Sequence, residues 1–149
     1  MIIALGADHG GYELKEIIKK HLQDQGYEII DYGTDSAESV DYPEYGFKVG
    51  EAIIKGQASL GIVVCGTGIG ISISANKVKG IRAALCTDSY MARMAKEHNN
   101  ANILALGARV VGQGLALEIV DTFLKTSFSG SRHSRRIDLI SAFETQGKN

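Results

Sequence analysis

Short, continuous apolar runs alternate along the whole chain with stretches of helical period. That alternation restricts the fold more than any other feature. The strongest run is Leu60-Gly61-Ile62-Val63-Val64-Cys65, rich in β-branched residues and apolar throughout. This is the pattern of a strand covered on both faces. Ile2-Ile3-Ala4-Leu5, residues 27–32, residues 81–86 and Ile103-Leu104-Ala105-Leu106 complete a set of five. Between the first two, residues 12–25 repeat Leu14, Ile17, Ile18 and Leu22 at helical spacing with Lys and Glu between them, and Gly26 stops the helix. Pro43 opens a helix to about Lys55, since its missing N–H is not needed in a first turn. Further helices are predicted from the glycine loop through Ala75 and Val78, and over 89–98, 114–126 and 135–145, with Asp88 or Ser89 as the N-cap of the 89–98 helix. Strands and helices that alternate in this way build a parallel sheet with helices on both faces. Residues 1–149 therefore read as one α/β unit, a three-layer α/β/α fold of Rossmann-like or flavodoxin-like type with a five-stranded parallel sheet. Periodicity does not order the strands.

Composition narrows the function classes. Sixteen basic and seventeen acidic side chains leave a net charge of −1, which argues against a nucleic-acid partner, since that needs a net basic face. No apolar run approaches the roughly 20 residues that cross a bilayer. The first residues, MIIALGADHGGYELK, carry neither a basic leader nor a small-residue cleavage site. Cys65 and Cys86 are too few for a disulfide framework. The expectation is a cytoplasmic protein with no membrane partner. Eighteen glycines against one proline point to tight turns and close approach of the backbone to something.

Ligands of open α/β sheets bind beyond the carboxyl ends of the strands. Asp8, His9, Gly10 and Gly11 follow the first strand, Cys65 and Gly66-Thr67-Gly68-Ile69-Gly70 the third, Thr87 and Asp88 the fourth, and Gly107 and Arg109 the fifth. A glycine loop between strand and helix can turn N–H groups toward an anion; the plainer reading is a tight turn. The loop lacks the Lys-Ser/Thr ending of an ATP phosphate cradle. The first turn, Gly6-Ala7-Asp8-His9-Gly10-Gly11, is not a dinucleotide fingerprint, and its aspartate would repel a pyrophosphate. A phosphatase of the C-x5-R type would need arginine where Ile71 stands. Cys65, just before a helix N-terminus, suits a nucleophile or a base, or else a small core residue. Cys86 has no such loop and reads as core. Arg132 and Arg136 are four apart, and on one helical face they would suit a phosphate, unless they are solvated surface arginines. His9 fits a hydrogen-bonded turn and His98 a helix C-terminus. His21 and His133 carry no evident context. No cluster has metal-ligand spacing, so no metal is expected.

Taken together, Asp8-His9-Gly10-Gly11, Asp41-Tyr42-Pro43, Cys65 with the glycine loop, Ala75-Asn76-Lys77, His98-Asn99, Gly107-Ala108-Arg109-Val110 and Gly130-Ser131-Arg132-His133 resemble the ribose-5-phosphate isomerase B family. The family also holds allose- and galactose-6-phosphate isomerases. The resemblance implies an aldose–ketose isomerase of the non-oxidative pentose phosphate route, with no metal and no organic cofactor. It implies a homodimer, or a dimer of dimers, with active sites shared between subunits. It makes Cys65 the base that moves a proton between C1 and C2 through a cis-enediolate, held by Gly66, Gly68 and Gly70 of the loop, with Thr67 shuttling protons between the oxygens. Some members use a glutamate near the loop instead, but Ser74 stands at that place here. His98 is implied in opening the furanose ring, with Asp8 on the ring or its hydroxyls. Asn99 and Tyr42 are implied in binding hydroxyls, and His9, Arg109, Arg132 and Arg136 in binding the phosphate. A six-carbon sugar phosphate, and a nucleotide-binding module without chemistry, are the competing readings.

Overall fold

The computed structural model describes residues 1–146. The elements run β1 (Ile2–Ala7), α1 (Tyr12–Asp24), β2 (Glu28–Asp31), α2 (Tyr42–Ile54), β3 (Leu60–Cys65), α3 (Ile69–Ala75), β4 (Ala83–Leu85), α4 (Ser89–Glu97), β5 (Ile103–Gly107), α5 (Gln113–Lys125) and α6 (Arg132–Thr145). All five strands are parallel, in the order β2-β1-β3-β5-β4. The expected α/β/α architecture is the one observed. The chain reaches the sheet edge at β4 and returns, so β5 separates β3 from β4, unlike the simple flavodoxin order. β4 keeps only three residues of the apolar run 81–86, because an edge strand has one neighbour to pair with.

Strand side chains alternate between the two faces. Ile3, Leu5, Ile62, Val64, Leu104 and Leu106 point to one face, packed by α1, α4 and α5. Ala4, Val63, Cys65, Ile103 and Ala105 point to the other, under Val49 and Ala52 of α2 and Ile71 and Ala75 of α3. Phe123 of α5 is wholly buried, and burying a side chain of this kind contributes roughly 1.5–3 kcal/mol. Asp88 caps α4 by accepting the Met91 N–H at 2.7 Å.

Lys15 departs from the pattern. Sequence places it among the polar residues of the first helix, yet it is only 1 % exposed. Its ammonium donates to both carboxylate oxygens of Asp31 at 2.7 and 2.8 Å, with Lys19 joining at 2.9 Å. Burial pushes the Asp31 carboxyl up, but the bonds from Lys15, Lys19 and the Gly33 N–H outweigh it and hold the group below its ordinary value. The pair ties α1 to the end of β2.

The last helix starts at Arg132, three residues before the predicted start, so Arg132 and Arg136 lie one turn apart on the same helix. Only His133 and Ile137 of α6 are buried; Leu139, Ile140 and Phe143 are exposed by 63, 54 and 79 %.

Candidate active site

The register between β3 and β5 sets Cys65 beside Gly107, and their two following loops interlock. Ala108 N–H donates to Cys65 O and Arg109 N–H to Gly66 O, each at 2.9 Å. The contact is tight enough to require glycine: a Cβ on Gly107 would stand 2.5 Å from Thr67 O. Alanine at Gly107 is therefore expected to push the glycine loop off β5. It should cost about 1–3 kcal/mol in urea-unfolding experiments and lower turnover as the loop shifts. Gly68 supplies the left-handed turn that starts α3, at φ +79°.

Cys65 ends β3 with 5 % of its surface open. Its sulfur accepts the Gly68 N–H at 3.1 Å. Ile69 N–H donates to Thr67 Oγ1 at 3.2 Å. The loop is thus no uniform ring of amides around an anion, because two of its N–H groups already order the residues expected to do chemistry. Cys86 lies 1 % exposed in the opposite layer, and burial, with the Asp88 charge, pushes its thiol up to about 11. That fits its reading as core.

Other expected residues gather at this carboxyl edge. Asp8 is buried, and its Oδ1 accepts the Gly11 N–H at 3.1 Å. Arg109 lays its guanidinium over the loop: a Cβ on Gly66 would meet its Nη1 at 2.9 Å, and one on Gly10 its Nη2 at 3.5 Å. Tyr42, the first residue of α2, packs its ring on Gly70, where a Cβ would fall 2.5 Å from Cε1. His9 Nδ1 accepts the Val40 N–H at 3.1 Å. That bond leaves Nε2 as the ring's donor nitrogen. A cleft of about 430 Å³ opens beside His9 and Arg109, reaching Glu13, Ala37 and Gln113.

The remaining expected residues lie elsewhere. His98 is the C-cap of α4, and Asn99 follows it. Because α4 runs back against the strands, both stand at the amino edge of the sheet, before Ile103 starts β5. A strand of this length spans roughly 15 Å, so one chain does not bring His98 or Asn99 to its own Cys65. Arg132 and Arg136 belong with His98, not with Cys65. His133, between them on α6, stacks on His98 with ring centroids 4.1 Å apart and planes within 12°. Burial, then the charges of His98, Arg132 and Arg136, lower the His133 imidazole from its ordinary value, against a raising effect of Glu97.

Sequence reasoning missed His133 and Arg82. With α6 starting at Arg132, His133 and Ile137 share its inward face, and that spacing was the signal available. Arg82 donates to the Asn99 and Asn100 carbonyls, and nothing in its sequence context indicates this. Among the described residues, no three His, Cys, Asp or Glu side chains are placed to hold a metal ion.

Residues 3–140 match the ribose/galactose isomerase family profile. The ribose-5-phosphate isomerase B of Escherichia coli is 49 % identical over 142 residues, covering 95 % of each chain. A structure of Clostridium thermocellum ribose-5-phosphate isomerase B superposes with TM-score 0.97 at 61 % identity, over 98 % of this chain and 99 % of that one. The Mycoplasma genitalium ribose-5-phosphate isomerase B, solved with bound ribulose-5-phosphate, gives TM-score 0.95 at 41 % identity, over 98 % of this chain and 97 % of that one. With Cys65 and the glycine loop at one edge of the sheet and the basic and histidine cluster at the other, the chain is an isomerase and belongs to the ribose/galactose isomerase family.

Proposed function

We propose that the protein interconverts D-ribose 5-phosphate and D-ribulose 5-phosphate, with each site assembled from two copies of the chain. The observation that carries this reading is the Cys65 sulfur, set by the Gly68 N–H at the same edge as Asp8, His9, Tyr42 and Arg109. The relatives named for this activity support it.

The Cys65 thiolate takes the proton from C2 of the open-chain aldose. The C–H electron pair forms the C1–C2 double bond, and the C1 carbonyl oxygen takes up the negative charge. Thr67, whose hydroxyl oxygen is held by the Ile69 N–H, moves the O2 proton to O1. Sγ then returns its proton to C1, leaving the carbonyl at C2. With the Gly68 and Ile69 amides engaged, the N–H groups of Gly66 and Gly70, at the two ends of the loop, receive the enediolate oxygens. One such donor typically contributes about 3–4 kcal/mol to the transition state. Asp8 and Tyr42 hold hydroxyls, and the Nε2–H of His9 and the Arg109 guanidinium hold the phosphate. Binding energy at that remote group keeps C1 and C2 against the sulfur.

Ring opening requires a proton donor and acceptor at the anomeric oxygen, a task suited to an imidazole whose ordinary value is near neutral pH. We infer that His98 performs it from the second copy, together with Asn99, Arg132 and Arg136, since these stand at the far edge of their own sheet. The bare Leu139, Ile140 and Phe143 of α6 supply an apolar surface for that second copy. A homodimer is the smallest assembly that completes the site, and a dimer of dimers contains it.

The deciding experiment is a coupled assay of the purified protein, with chelator present, against five- and six-carbon sugar phosphates. Ribose 5-phosphate is expected to be turned over fastest, with allose 6-phosphate as a slower side substrate. Preference for a six-carbon sugar would overturn the substrate assignment and leave the family intact.

A further inference from the structure

We propose that Arg82 is a positioning residue for the ring-opening half of the site, a proposal that rests on the role of His98 given above. His98 and Asn99 lie where α4 ends, the place in a helix where carbonyls lose their partners. The chain there turns through Asn100 at φ +44°, a left-handed conformation that asparagine tolerates at some cost. A segment of this kind needs an external hold to present two side chains to another subunit in one fixed geometry.

Arg82 provides that hold from the position just before β4. Its Nε donates to Asn99 O at 2.9 Å and to Asn100 O at 3.3 Å, and its Nη2 donates to Asn100 O at 2.9 Å. The base of the clamp is fixed in turn. Arg82 N–H donates to Asn102 Oδ1 at 2.8 Å, and Arg82 O accepts the Asn102 N–H at 3.0 Å. The next carbonyl, that of Ala101, is held by the Lys96 ammonium at 3.2 Å. Two adjacent carbonyls facing one planar guanidinium are matched by its fork and not by a single ammonium. The His133 ring covers His98, so the histidine is held by the stack while the turn behind it is held by Arg82. Arg82 thus acts through Asn99 and His98, and its charge is directed to main-chain oxygens.

The test separates positioning from phosphate binding and from general support of the fold. Ribulose 5-phosphate carries its phosphate on the C5 oxygen and cannot close a furanose, so its turnover does not need ring chemistry. For Arg82→Gln, turnover of ribose 5-phosphate is expected to fall about tenfold or more, the scale of misplacing a catalytic group. Turnover of ribulose 5-phosphate, whose product leaves as the open-chain aldose and closes in solution, should stay within about threefold, as should both KM values. Arg82→Lys should recover part of the loss. If Arg82→Gln folds poorly, Arg82→Lys, which keeps one donor for these carbonyls, carries the same comparison of the two directions and should show the smaller one-directional loss. Equal losses in both directions with a lowered Tm would overturn the proposal, as would a rise in both KM values at unchanged kcat. His98→Asn is the control. If it shows no directional loss, the ring-opening reading itself falls and takes the proposal with it; if His98→Asn is directional and the Arg82 variants are not, Arg82 alone is misassigned.

Discussion

Cys65→Ala is expected to leave the fold in place and to lower turnover in both directions by about 10²–10⁴-fold, the usual worth of a positioned acid–base group. The loss is expected in both directions because, in the proposed mechanism, the same sulfur removes the proton from C2 of the aldose and from C1 of the ketose. The fold should survive because Cys65 is a small side chain at the end of β3, and deleting its sulfur leaves only the Gly68 N–H to find a new partner. That cost is about 1–3 kcal/mol, small enough for the sheet to persist in circular dichroism. Cys65→Ser sharpens the test. Serine restores an acceptor for the Gly68 N–H and with it the stability, yet its hydroxyl gives up a proton far less readily than a thiol, so activity should stay lost. Stability recovered without turnover identifies proton transfer as the role of the sulfur. Normal turnover in Cys65→Ala would remove Cys65 from the mechanism and leave the architecture standing.

What was readable in the sequence divides along physical lines. The run 60–65 declares a buried parallel strand because every position is apolar, and the glycines after it declare a tight loop. Local periodicity carries both facts, and the structure places Cys65, the loop, Asp8 and Arg109 at one edge as the βα connections imply. Lys15 escaped notice because burial of an ammonium depends on Asp31, sixteen residues away on another element. The strand order escaped for a related reason: β4 and β5 are both short apolar runs, and only side-chain packing between layers decides which of them sits beside β3. His98 is the most instructive case. Its position at a helix end was evident, but a helix that runs back against the sheet ends at the edge opposite the glycine loop. The grouping of Arg132 and Arg136 with His98 instead of Cys65 follows from the docking of α6 through His133, a contact between elements that no single-segment pattern encodes.

That division of residues between edges makes a strong expectation for mixed assemblies. His98→Asn should lose enzymatic ring opening, so its conversion of ribose 5-phosphate should become limited by spontaneous opening in solution and cease to scale with enzyme concentration. The same variant should keep most of its turnover of ribulose 5-phosphate, whose open chain needs no such step. Cys65→Ala should fail with both substrates. If each site takes Cys65 from one copy and His98 from the other, a heterodimer of the two variants contains one site with both defects and one with neither. Random exchange of subunits makes half of the dimers mixed, so equimolar mixing should restore about a quarter of the wild-type rate with ribose 5-phosphate under closed two-fold symmetry. Recovery should follow the time course of subunit exchange and vanish if the dimers are crosslinked before mixing. A site confined to one chain predicts no recovery at any mixing ratio, since every subunit then carries a defect of its own. The roughly 15 Å of sheet between the two edges would then have to be crossed by a rearrangement of α4, in which the His98–His133 stack breaks.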